Sequence, residues 1–132
     1  MIDMLQDIAE AQGKLDAIDT QLCATIRIVE TELASRISTR ITVKIAGERV
    51  TAIGFGKLQG AWCLFVEYDA FENRLVDAPR DVRAQAFAGG HVRRLITESA
   101  TLIRGHIAQR DAAIKEANDL LTQMGALEGL QP

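Results

Sequence analysis

The chain has 132 residues, 48% apolar and 25% charged, so it can bury one modest core and is too apolar for wholesale disorder. Aromatic side chains make up 5%, which leaves the core to Ile, Leu, Val and Ala and disfavours a large all-β sandwich. The net charge of −3 conceals two blocks: residues 1–35 carry two bases against seven acids, and residues 74–115 carry eight bases against four acids.

No apolar run approaches the ~18 residues of a transmembrane helix. The opening MIDMLQDIAE lacks a basic n-region and carries Asp3, Asp7 and Glu10, unlike a signal peptide. Cys23 lies in a helical pattern and Cys63 in an apolar strand. Both read as buried thiols of a reducing compartment, with a structural disulfide left open. A cytoplasmic protein is expected.

Residues 2–36 are expected to form one long helix. Leu5, Ile8, Leu15, Leu22, Val29 and Leu33 recur at spacings of three, four or seven, close to a heptad stripe, with Ile18 and Ile26 beside it. Such a helix is a rod of roughly 50 Å. At Arg36 the period changes. Ile37, Ile41, Val43 and Ile45 alternate with polar residues, as in a half-buried strand. Ala46-Gly47-Glu48-Arg49 is a turn in which Gly47 supplies a positive φ. A second strand covers 49–57, and Leu58-Gln59-Gly60 turns the chain into a third, Ala61–Tyr68. The expectation over 37–68 is a three-stranded antiparallel meander.

Residues 69–76 read as a loop. Asp77 then N-caps a short helix with Pro79 in its first turn. That helix ends at Ala88, where Gly89-Gly90 interrupts it, and a second long helix covers 91–124. Residues 125–132 are expected to fray. The fold class is therefore α+β, a single domain in the order α-β-β-β-α-α with coiled-coil-like long helices.

The stretch Gly54-Phe55-Gly56-Lys57-Leu58-Gln59-Gly60 raises the question of a phosphate loop. Such a loop needs its glycines between a strand and a helix N-terminus, and here Gly60 runs into another strand. The glycines are instead expected to thin one face of the second strand, shared by Val50, Ala52, Gly54 and Gly56, as a seat for a helix. Thr51, Ile53 and Phe55 take the other face.

Catalytic equipment is sparse. Cys63 sits among Trp62, Leu64 and Phe65, surroundings that raise a thiol's pKa, and His91 is the nearest conceivable base. Ser99 has no nucleophile elbow. His91 and His106 are fifteen residues apart, without an acid or Cys at helical spacing to complete a zinc set. Glu67, Asp69 and Glu72 lack calcium-loop spacing. No catalytic residue, metal ligand or cofactor is assigned.

Arg80, Arg83, Arg93, Arg94 and Arg104 carry the second reading. Clustered on one surface, they would contact nucleic-acid phosphates across the arginine-rich segment 80–110. The same arginines can instead pair with the acids of the first helix, which accounts for both charge blocks. The order helix–three strands–helix resembles, in architecture and without a shared motif, the small nucleoid-associated YbaB-type proteins, and also a prefoldin-type helical hairpin. A shared order of elements does not license a function.

The leading expectation is a non-catalytic protein-interaction module: a homo-oligomer, a dimer in the simplest case, that binds an unidentified protein as adaptor, assembly factor or inhibitor. Leu15, Leu22, Val29, Leu33, Ile103, Ile107, Ile114 and Leu121 would form its interface. No membrane partner is expected.

Overall fold

The computed structural model describes residues 2–125. The fraying expected at 125–132 lies, from residue 126 onward, outside the described residues. The first helix, α1, spans Ile2–Ala34. Four strands follow: β1 Ile41–Lys44, β2 Val50–Leu58, β3 Ala61–Tyr68 and β4 Phe71–Arg74. A 3-10 turn at Leu75–Asp77 leads into α2, Arg80–Ala88, and the last helix, α3, spans His91–Gln123. The fold is α+β, as its periodicities indicate. The chain divides into two compact units, Met1–Thr97 and Glu98–Pro132, with the boundary inside α3.

The sheet is antiparallel in the order β1-β2-β3-β4, so it has four strands rather than three. The loop expected at 69–76 is in fact the β3–β4 hairpin and its exit. Asp69 and Ala70 take φ of 51° and 68°, the left-handed pair of a two-residue turn, with no glycine to announce it. The strand it opens, Phe-Glu-Asn-Arg, has none of the alternation that marks β-structure in sequence.

Register assigns the faces. Ile41 pairs with Phe55, Val43 with Ile53, Phe55 with Leu64 and Ile53 with Val66, so these six buried residues form one apolar face. Phe55 stacks on Trp62 at 5.7 Å on that side. Val82, Ala86 and His91, from α2 and the start of α3, close over Ile53 and Val66 around a small apolar cavity. From α1, Ile26 is completely buried.

Three local expectations need correction. A bulge between Val50 and Ala52 breaks the parity of β2, so Val50 lines the Ile53 cavity instead of sharing the glycine face. Gly47 has no positive φ. It is required because a Cβ there would lie 2.5 Å from the carbonyl oxygen of Val50. Asp77 does not cap α2. The N-cap is Pro79, with no side-chain cap bond, and Ala78 before it is extended, as the residue preceding a proline must be. Arg83 serves that junction instead, donating to the carbonyls of Ala78 at 2.6 Å and Val76 at 3.4 Å.

On the glycine face it is a neighbouring side chain, rather than a helix, that fills the space nearest Gly54 and Gly56. Gly54 faces Phe65 in register, and the Phe65 ring covers both Gly54 and Gly56. Arg40 then lies over the ring, its guanidinium carbon 4.3 Å from the centroid, and pairs with Glu72 on β4. An aromatic ring and an arginine thus occupy the space that the missing side chains leave.

Candidate interaction surface

The two long helices are far more apolar than the core requires. On α1, Met4, Leu5, Ile8, Leu15, Ile18 and Ile28 are exposed, while Leu22, Val29 and Leu33 are half-buried. Ile26, beside the stripe rather than in it, is the aliphatic residue of α1 that the core takes up among the described side chains. The first half of the stripe, Leu5, Ile8 and Leu15, is therefore left at the surface, and its second half is only partly covered. Leu15 is 49% exposed although it sits in an unbroken heptad pattern.

The second unit repeats the pattern. Along its part of α3, Ile107 and Ile114 are 54% and 59% exposed, Leu120 and Leu121 are also exposed, and Ile103 is half-buried. At the α3 start, by contrast, Val92 and Leu95 belong to the core. Exposed aliphatic residues thus recur here at heptad spacing rather than scattered singly.

An open apolar groove of about 550 Å³ lies at the end of the α1 stripe, lined by Val29, Phe87, Val92, Arg93, Ile96 and Thr97. A shallower one, between Ile18, Leu22 and Thr25, continues along the same face of α1. Arg93 is exposed and makes no hydrogen bond or ion pair among the described residues.

The remaining arginines are engaged differently. Arg80 reaches α1, with its Nη1 2.9 Å from Asp16 and 3.3 Å from the buried Asp19. Only the first of these has hydrogen-bond geometry. The Asp16 carboxyl sits below the usual range because the Gln12 amide donates to it and Arg80 does so as well. Arg83 is turned onto backbone carbonyls, and Arg94 donates to the Lys44 carbonyl at 2.8 Å on β1. Arg104 lies exposed in the second unit and, like Arg93, has no polar partner among the described residues. Three of the five arginines thus serve internal acceptors, and Arg80, through Asp16 and Asp19, joins the basic segment to the acidic helix.

The groups singled out for chemistry are dispersed. Cys63 shares the Phe65 face by register, whereas His91 lines the cavity on the opposite face, so the two do not meet. Burial, reinforced by the charge of Glu30, pushes the Cys63 thiol up. Both cysteines are free. The acids of β3 and β4 go to separate partners: Glu67 accepts from the Thr51 hydroxyl at 2.7 Å, Asp69 lies 3.5 Å from Arg49, and Glu72 pairs with Arg40. No cluster of three or more His, Cys, Asp or Glu able to hold a metal ion occurs among the described residues.

Glu30 is a contact that the sequence did not announce. Its carboxylate accepts the Leu64 N–H at 2.7 Å, on the length of β3 that extends beyond the end of β4. Burial raises the Glu30 carboxyl above the ordinary glutamate range, against the lowering effect of the Leu64 hydrogen bond.

No helix among the described residues is long and apolar enough to cross a membrane. The sequence matches no protein-family model, and neither a curated protein nor a solved structure matches it, so the shared order of elements noted above has no structural match behind it.

Proposed function

We propose that the chain is a non-catalytic protein-interaction module that self-associates, as a dimer in the simplest case, and binds another protein as an adaptor, assembly factor or inhibitor. The observation that carries this reading is the exposed apolar surface of the long helices: six large apolar residues on α1, among them Leu5, Ile8 and Leu15 of the stripe, and five on α3, among them Ile107, Ile114 and Leu121 at heptad spacing, are exposed. The engagement of Arg80, Arg83 and Arg94 with internal acceptors supports it over nucleic-acid binding, because phosphate contacts need free cations on one surface. Two free thiols accord with a cytoplasmic location.

Sedimentation equilibrium of the full chain over the micromolar range tests the reading. A mass at twice 14.4 kDa, or a higher multiple, is expected. A monomer throughout that range would remove the reason for the stripe. Fluorescence anisotropy with mixed-sequence DNA at low salt tests the other reading. Salt-sensitive binding lost on changing Arg93 and Arg104 to Glu would put nucleic acid in place of a protein partner.

A further inference from the structure

We infer that α3 beyond Thr97 pairs antiparallel with the same segment of a second copy, about a two-fold between Ile107 and Arg110. The inference rests on the self-association proposed above and gives it a helix, a direction and a register.

Spacing supplies the seam. Ile107, Ile114 and Leu121 form one row seven residues apart, and Ile103, Arg110 and Ala117 form the adjoining row, as in a heptad repeat. All are exposed except Ile103, which is half-buried. The seam is apolar save at its centre, where Arg110 interrupts it.

Arg110 decides the direction. In a parallel pair each seam residue meets its own copy, so two Arg110 side chains would face each other at one level. An antiparallel pair sets one row against the other. Arg110 then falls opposite Ile107 of the second copy, where its aliphatic stem can cover that side chain. Within its own helix Arg110 donates to the His106 carbonyl at 3.3 Å, which draws the guanidinium toward the helix N-terminus. Antiparallel copies therefore point these two cations apart. Ile103 falls opposite Ile114, each contact occurs twice, and the interface closes.

The flank of the seam fixes the register. Arg104 follows Ile103 and Asp111 follows Arg110, so both stand at the same heptad position on the same flank. Both are exposed, and neither has a polar partner among the described residues. Seven residues separate them by about 10 Å along the helix, too far to meet within one chain. A two-fold perpendicular to the plane of two antiparallel helices brings this flank of one copy against the same flank of the other. With Ile107 opposite Arg110, Arg104 of each copy meets Asp111 of the other. A slip of one heptad one way would set Arg104 against its own copy, and a slip the other way would do so for Asp111. Complementary charge thus names a second copy of this helix in one alignment.

Two variants of the full chain test this, with dimer dissociation constants read by sedimentation equilibrium at low salt. One is Arg104→Glu and the other Asp111→Lys. Both positions are exposed, so thermal unfolding in dilute solution should be little changed. Each variant alone sets like charges across both pairs and should weaken its dimer about tenfold. An equimolar mixture should recover wild-type affinity, because in the mixed dimer Glu meets Lys at one pair and Asp meets Arg at the other. A chain carrying both changes should recover it as well. A dimer that ignores either reversal, or stays weak in the mixture or in the double variant, would overturn the pairing and leave self-association standing. A monomeric wild-type chain would overturn both.

Discussion

Phe65 stands directly opposite Gly54 in the β2–β3 register, and its ring fills the volume that a side chain at Gly54 would need. A Cβ on Gly54 would overlap the Phe65 ring edge and come within 2.6 Å of the Ile41 carbonyl oxygen. One of those neighbours is backbone and cannot turn aside. Gly54→Ala should therefore destabilise the fold by about 1–3 kcal/mol, as overpacking of a well-filled core does. At Gly56 the nearest atoms are 3.1 Å away on the Arg40 stem and 3.2 Å away on the ring. Because the arginine stem is flexible, Gly56→Ala should cost clearly less. Urea unfolding of the two variants side by side checks the order.

The helical stripe and the core should separate cleanly under mutation. Ile26→Ala removes a fully buried side chain and should cost about 2–5 kcal/mol of folding stability. Leu15→Ala, at a half-exposed position, should change the unfolding of the isolated protomer by less than about 0.5 kcal/mol. It should instead weaken self-association, visible as a rise in the dimer dissociation constant with an unchanged unfolding midpoint in dilute solution.

Glu30→Gln should make stability less dependent on pH. The folded state holds the Glu30 proton more tightly than the unfolded chain, because burial raises this carboxyl. Its contribution is therefore fully present below the ordinary glutamate pKa and is lost as pH rises through the elevated folded value. Glutamine keeps an oxygen for the Leu64 N–H and has no charge to desolvate. The variant should gain on the wild type between pH 4 and pH 7, as read from urea midpoints at both values.

Arg80→Ala should cost more than Arg36→Ala. Arg36 and Glu32 form a pair in which both side chains are mostly exposed, and such pairs contribute ~0–1 kcal/mol. Arg80 faces Asp19, whose side chain is 12% exposed. Its removal strands a buried carboxylate, at about 1–3 kcal/mol. Thermal melts of the two variants at neutral pH give the comparison.

Cys63 should resist thiol reagents in the folded protein. Its thiol is buried on the Phe65 face and its ionisation is disfavoured there. Ellman's reagent at neutral pH should label Cys23, which is half-buried, well before Cys63. Rapid stoichiometric labelling of Cys63 would instead show a reactive thiol and make nucleophilic chemistry there worth testing.

Sequence periodicity located both long helices, the break at Gly89-Gly90 and three of the four strands, because burial on one side leaves a period that can be counted. It failed where no side chain carried the signal. The Asp69-Ala70 turn is left-handed without glycine, and β4 is short and polar. The N-cap assigned to Asp77 failed because the proline two residues on holds Ala78 extended. The glycine face was foreseen as thin, yet what fills it is a residue of the neighbouring strand, and only pairing register names Phe65. The stripe residues were legible as a face. That Ile26, just outside the stripe, would enter the core, and that Arg93 would stand in a groove with Val29, depended on long-range packing that no local pattern encodes.

Glu30 has a consequence for how the molecule behaves in a crowd. β4 ends at Arg74, opposite Phe65, so the Leu64 N–H just beyond it has no strand partner on that side, and such an unpaired donor would invite an extended peptide to add itself. A carboxylate from α1 already holds the Leu64 donor, so an incoming strand would have to displace a charged acceptor before its first bond could form. The helix thereby guards this part of the sheet against accretion of further strands.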